Sequence, residues 1–353
     1  MTESNLVYTQ LAQALERLPN AFPRTASGVE LKILEKIFST DEAFLAGLLD
    51  GTLASVADIS ERARLPAADI RSRLMSMAKR GLVWFEPLEG KPHFRLAPFI
   101  VGIYEAQIGL MDHELAHLVE DYLHEGGAEG LMTPQPALHR VMPAQKTVKS
   151  EWILPYEDVR ALLLESKSFH NGSCICRTQM ENLGQACSFP HDLCLSFSRS
   201  ERSLGPGDLT QAQALELLAR AEELGLVHSV SNVAEGMGYI CNCCGCCCAI
   251  LRGINEFGIA HSVAAANYYA VIEADLCAGC GTCIERCQVH AIAEHDGISQ
   301  VERAHCIGCG LCVTGCPNDA AHLERKPEAE AIIPPLNFAA WEQERLRNRG
   351  MEN

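Results

Sequence analysis

Apolar positions recur at helical spacing from Val29 to Phe38, and Ser39-Thr40-Asp41-Glu42 follows at once. Ser39 and Glu42 have the spacing of a capping box, which predicts a helix over Glu42 to Asp50. A second helical segment, SVADISERA, runs from Ser55 to Ala63. After a short Arg-Leu-Pro turn, a longer helix is expected from Ala67 to Arg80, with Ile70, Leu74 and Met77 on one face and Gly81 as its stop. The stretch LVWFEPLEGKPHFRLAP then reads as two short strands joined at Glu89-Gly90-Lys91. Beyond it the pattern predicts a long helix from Phe99 to Glu125, closed by Gly126-Gly127. A linker from Gly130 to Lys149 is marked by Pro134, Pro136 and Pro143. Far downstream, Leu209 to Leu224 is a strongly amphipathic helix ended by Gly225, expected to support its surroundings by packing.

Helix, turn, helix and a two-stranded wing resemble the winged helix-turn-helix fold, covering residues 29–98. The segment Leu53 to Pro98 carries a net +3 in a chain of net charge -16. Arg71 and Arg73 would lie on the recognition helix and Lys91 at the wing tip, so DNA contact is permitted. Winged helices also serve as docking and homodimer modules, and a strongly acidic chain argues against general nucleic-acid binding. No window approaches the ~18 consecutive apolar residues of a membrane span, and the N-terminus lacks a signal pattern. These features point to a soluble cytoplasmic protein.

Cysteine distribution changes the picture. Of 353 residues, 18 are cysteine, and all lie between Cys174 and Cys316. The length excludes a small secreted disulfide scaffold, and in a reducing compartment such density means metal or redox chemistry. From Glu273, EADLCAGCGTCIERCQVHAI is repeated from Glu302 as ERAHCIGCGLCVTGCPNDAA, at an offset of 29. Both copies read C-x-x-C-x-x-C-x-x-x-C, and the region resembles bacterial two-cluster 4Fe-4S ferredoxins. The resemblance implies crossed ligation. Cys277, Cys280 and Cys283 would hold one cluster with Cys316; Cys306, Cys309 and Cys312 would hold the other with Cys287. Gly279, Gly281, Gly308 and Gly310 would let the backbone turn closely around sulfur. One departure stands out: Cys316 is followed by the expected Pro317, whereas Cys287 is followed by Gln288, which puts local rigidity in question.

Ten further cysteines lie upstream: Cys174, Cys176, Cys187, Cys194, Cys241, Cys243, Cys244, Cys246, Cys247 and Cys248. Adjacent cysteines leave the backbone in different directions, so the run CNCCGCCC is expected to feed two sites or leave thiols unbound. Ten donors could hold two cubanes with two thiols to spare, or one cubane and an unusual or incompletely ligated cluster whose open iron would be a reactive position. A structural zinc in place of one cluster, and buried thiols acting as small apolar groups, are the competing readings. Arg177 either donates to cluster sulfur, binds an anion or forms a salt bridge. His170, His191 and His228 read as surface or as neighbours of ligands. His113-Glu114-Leu115-Ala116-His117 matches the zinc-protease pattern H-E-x-x-H, but without a third ligand motif it reads as an ordinary helix face.

The whole pattern resembles ferredoxin-domain proteins of anaerobic microbes that carry an N-terminal winged helix. It implies an α+β multidomain chain: a helical extension (1–28), the winged helix (29–98), the long helix and linker (99–150), a cysteine-rich helical metal-binding domain (151–270), the ferredoxin domain (271–325) and a C-terminal tail (326–353). The expected role is electron transfer with redox protein partners, as a component of a low-potential oxidoreductase rather than a stand-alone enzyme. The alternatives are a redox-responsive winged-helix regulator and a reductase with an open catalytic cluster.

Overall fold

The structure, a computed structural model, describes residues 3–144, 147–148, 157–205 and 207–351. The expected domain boundary at 150–151 lies outside the described residues. The chain is mixed helix and sheet, and it divides into two compact units, one of residues 1–134, 178–186 and 345–353, the other of residues 135–177 and 187–344.

In the first unit the local signals behave as their chemistry requires. Ser39 accepts from Glu42 N while the Glu42 carboxylate accepts from Ser39 N, and the helix Thr40–Gly47 starts there. Ser55 and Asp58 repeat the device for Val56–Ala63. The helix Ala67–Lys79 buries Ile70, Leu74 and Met77. Strands Val83–Leu88 and Lys91–Leu96 pair antiparallel, and Ala54–Ser55 adds a short third strand. Glu89 (φ 50°) and Gly90 (φ 74°) are both left-handed, the geometry that a two-residue hairpin turn demands.

The long helix expected from Phe99 to Glu125 does not form. The backbone is non-helical at Ile100, Val101 and Gly102, a single tight turn covers Glu105–Gln107, and a regular helix runs only from His113 to Tyr122. Side chains take the place of helical partners. Asn20 donates to Ile100 O, the Glu105 carboxylate accepts from Gly102 N at 2.6 Å, and Asp112 accepts from Leu115 N at 2.9 Å as a new N-cap. The C-terminal segment is also folded: Phe338–Asn348 is a helix, and its Arg345 is fully buried.

The second unit corrects the expectation of a helical cysteine-rich domain. Its centre is a six-stranded antiparallel sheet in the order His139–Met142, Val227–Ser231, Tyr239–Cys243, Cys194–Ser198, Ser168–Gly172, Asp208–Leu209. The strand His139–Met142 arises within the stretch expected to be a linker. Cys194–Ser198 alternates, burying Leu195 and Phe197, whereas Val227–Ser231 lacks a readable two-residue alternation because polar residues are buried in it beside apolar ones. His228 Nδ1 lies 2.6 Å from Asn242 Oδ1, and Asn242 Nδ2 donates to Leu193 O. His139 lies between Ser229 Oγ (3.0 Å) and the Tyr239 hydroxyl (2.8 Å). Downstream, two small two-stranded antiparallel sheets pair Tyr268–Ile272 with Ala321–Arg325, and Ile292–His295 with Ile298–Val301.

Burial pushes the pKa of His139 down to about 4, from an ordinary 6.5. The unfolded chain takes up this proton as pH falls through 6.5 and the folded chain does not, so stability is untouched above that value and declines below it. The expected loss between pH 7 and pH 4.5 is about 2–3 kcal/mol. Urea denaturation at several pH values should show this slope flattened in His139→Gln; an equal slope in both proteins would refute the assignment.

Candidate metal centres

The downstream repeat presents its thiols from tight backbone turns. Gly281 (φ 77°) and Gly310 (φ 75°) are left-handed and open the one-turn helices Thr282–Glu285 and Leu311–Thr314. Gly279 and Gly308 are left-handed as well, and a Cβ there would meet Gly297 O at 2.4 Å and Tyr268 O at 2.5 Å. Cys277, Cys280, Cys283 and Cys316 line one cavity, together with Thr282, Ser299 and Pro317. Cys287 is not among the residues that line this cavity. It is an electrostatic neighbour of Cys306, Cys309 and Cys312, and its Sγ accepts from Ala291 N at 3.2 Å. Burial pushes the Cys312 thiol up to about 12, so a cationic metal is what would hold this set as thiolates. The donor set fits iron–sulfur clusters.

The ten upstream cysteines separate into two groups. Cys187, Cys244, Cys246 and Cys247 bring their sulfurs within 4.8 Å of one another, Cys246 and Cys247 within 3.7 Å. The expectation that adjacent cysteines avoid a common site is thus corrected for this pair: the chain turns at Gly245–Cys247, so the strand and helix directions behind that expectation do not apply.

The other six form a ring. Cys174 is within hydrogen-bonding reach of Cys176 and Cys194, Cys176 of Cys248, Cys248 of Cys243, Cys243 of Cys241, and Cys241 of Cys194. The sheet explains the gathering. Cys241 and Cys243 are two apart on one strand and share a face, while Cys194 begins the neighbouring strand. Adjacent pairs Cys243/Cys244 and Cys247/Cys248 are split between the two groups, as the run of cysteines suggested.

Arg177 is the charged residue of this region. It is 1% exposed and donates to Pro190 O and Asn242 O, both at 2.8 Å. Burial opposes its charge, but the surrounding Cys174, Cys244 and Cys243 outweigh burial and raise its pKa. Among the described residues no carboxylate pairs with it, and its Nε is buried with no acceptor. The histidines stay outside both groups: His228 is held by Asn242 and by Glu222 Oε1 at 3.2 Å, and His170 Nδ1 lies 3.9 Å from Asp208. The rings of His113 and His117 lie 4.5 Å apart between centroids and are tilted at 57°, and among the described residues no third side chain joins them in a metal-binding group.

The family model of the 4Fe-4S dicluster domain matches residues 269–317. This part of the chain is a ferredoxin-type domain. No curated protein and no solved structure matched the chain.

Within the second unit the dicluster domain is tied to the neighbouring cysteine groups through the two residues that flank Cys287. Arg286 donates to Leu311 O inside the domain and to Glu222 O and Glu223 O, capping the C-terminal carbonyls of the helix Gln211–Glu223. Gln288, in the place of the expected proline, accepts from Gly245 N at 2.7 Å and donates to Gly225 O at 2.9 Å. Its carbonyl accepts from Asn255 Nδ2 at 2.9 Å. Where a proline ring would have fixed the chain, two side-chain hydrogen bonds of Gln288 hold it. No sequence motif announced this role; the only signal was the departure itself.

Proposed function

We propose that the chain is an iron–sulfur electron-transfer protein, a subunit or partner of a low-potential redox system. The dicluster domain would exchange electrons with metal centres of the upstream cysteines. Cys277, Cys280, Cys283 and Cys316 would hold one 4Fe-4S cluster, and Cys306, Cys309, Cys312 and Cys287 the other. The observation that carries this reading is the exchange of fourth cysteines: Cys316 lines the cavity of the first repeat, and Cys287 lies among the thiols of the second. Bound clusters would supply one-electron transfer. The residues around them supply N–H donors, such as Ala291 to Cys287, that tune potential, and turns that hold the thiols in place.

Residues 29–98 support a winged-helix reading through their helices and three-stranded sheet, and we assign them to protein docking. Arg73, needed for base contact in the DNA-binding alternative, is engaged by Asp41 at 2.7 Å. Among the described residues no helix is long and apolar enough to cross a membrane.

The test is iron, sulfide and zinc analysis of the anaerobically purified full chain, with EPR of the reduced form. About eight iron belonging to the dicluster domain, reversibly reducible, are expected. Zinc without sulfide would overturn the reading.

A further inference from the structure

We infer that the ten upstream cysteines build two separate centres of different kind: a single-ion tetrathiolate site at Cys187, Cys244, Cys246 and Cys247, and a polynuclear iron–sulfur centre in the ring of Cys174, Cys176, Cys194, Cys241, Cys243 and Cys248. The inference rests on the iron–sulfur reading above and adds to it the division of thiols between sites.

The first half follows from spacing. One tetrahedral ion with metal–sulfur bonds of ~2.3 Å sets its sulfurs ~3.8 Å apart. Four sulfurs all within 4.8 Å of one another, two of them at 3.7 Å, match a single ion and leave no room for a four-iron cubane at their centre. With three sulfurs from a four-residue stretch, the site is a local clamp closed by the distant Cys187.

The second half follows from donor number and from Arg177. A cubane or a structural zinc uses four thiolates, so six in one closed ring are two more than either can engage. A centre with more than one metal ion uses all six. Idle thiols packed as small apolar groups would explain burial but would not place a cation beside them. Arg177 is within hydrogen-bonding reach of Cys244 of the other group and is an electrostatic neighbour of Cys174 and Cys243 of the ring, and its Nε–H has no protein acceptor among the described residues. A buried donor left without a partner is destabilising, and inorganic sulfide or a metal-bound thiolate is the acceptor that the site chemistry offers.

The test uses the full chain, purified anaerobically, with the reduced dicluster EPR signal as internal control. Cys243→Ser with Cys248→Ser should remove more than one iron together with acid-labile sulfide and leave the dicluster signal. Cys244→Ser with Cys247→Ser should remove one metal ion and no sulfide. Loss of one ion or of zinc alone from the first variant, or of about four iron from the second, would overturn the inference. So would loss of the same metal from both. A parent chain without iron would instead sink the electron-transfer reading, whereas dicluster iron with no further metal would sink only this inference. Because serine pairs can fail to fold, Arg177→Lys provides a second readout. It keeps the charge and removes the Nε donor, and should shift the visible absorption and midpoint potential of the upstream centre with metal content unchanged; no shift would overturn the contact to sulfur.

Discussion

Arg345→Ala is expected to destabilise the first unit by about 3–5 kcal/mol, one of the two largest effects of any single substitution considered for this chain. The guanidinium is fully buried, with Nε donating to Pro19 O at 2.8 Å, Nη2 to Leu131 O at 2.6 Å and Nη1 to Pro134 O. One carbonyl comes from Pro19 and the other two from the segment Leu131–Pro134, over a hundred residues away, and one planar five-donor fork answers all three. Truncation leaves the Pro19 and Leu131 acceptors buried and without this donor at about 1–3 kcal/mol each, less whatever water entering the vacated space recovers, while Pro134 O is part-buried and costs less. Lysine keeps the charge but not the fork, so Arg345→Lys should retain one bond and lose roughly half as much. Urea denaturation followed by far-UV circular dichroism measures both. A stability for the alanine variant within about 0.5 kcal/mol of the parent, the range of an ordinary surface substitution, would show that the carbonyls find other donors.

Arg345 lies in a segment that reads as a tail, and the reason is physical. Its partners are backbone carbonyls, which leave no trace in side-chain patterning. What was legible is what is local. The capping box at Ser39, the face of Ile70, Leu74 and Met77, the tight turn at Glu89-Gly90 and the helix Gln211–Glu223 each depend on residues a few positions apart. The cysteine spacing of the dicluster domain is local too. The upstream sheet was not legible because strands such as Val227–Ser231 bury His228, Ser229 and Ser231 together with their apolar neighbours, erasing the alternation. The helix expected from Phe99 is interrupted by partners that sequence alone does not bring near, Asn20 above all. For the candidate site, the presence of upstream metal donors was legible in composition, but their partition was not. Cys187 meets Cys247, and Cys174 meets Cys194, only through the fold.

Gly245→Ala should be the most damaging change in the second unit. A Cβ at this position would stand 2.0 Å from Gln288 O and 2.8 Å from Asn255 Nδ2. No real Cβ approaches a backbone carbonyl so closely, so either the cysteine run or the segment after Cys287 must move. Overpacking of this kind costs about 1–3 kcal/mol, and the bond from Gly245 N to Gln288 is lost with it, giving roughly 2–4 kcal/mol in all. Cys244 and Cys246 flank the glycine, so displacement also spreads the sulfurs that now lie within 4.8 Å of one another. Metal analysis should therefore show loss of the ion assigned to Cys187, Cys244, Cys246 and Cys247, with the dicluster EPR signal retained. Gln288→Ala separates contact from clash. It deletes the side-chain bonds to Gly245 N and Gly225 O, keeps the carbonyl that Asn255 holds, and adds no atom. It should cost about 1–2 kcal/mol and leave the metal in place. Equal damage in the two variants would mean that the Gln288 side chain, and not the close approach of backbones, sets the position of the run. Full metal retention in Gly245→Ala would mean that the run is free to shift and that the close packing against Gln288 does not position these thiols.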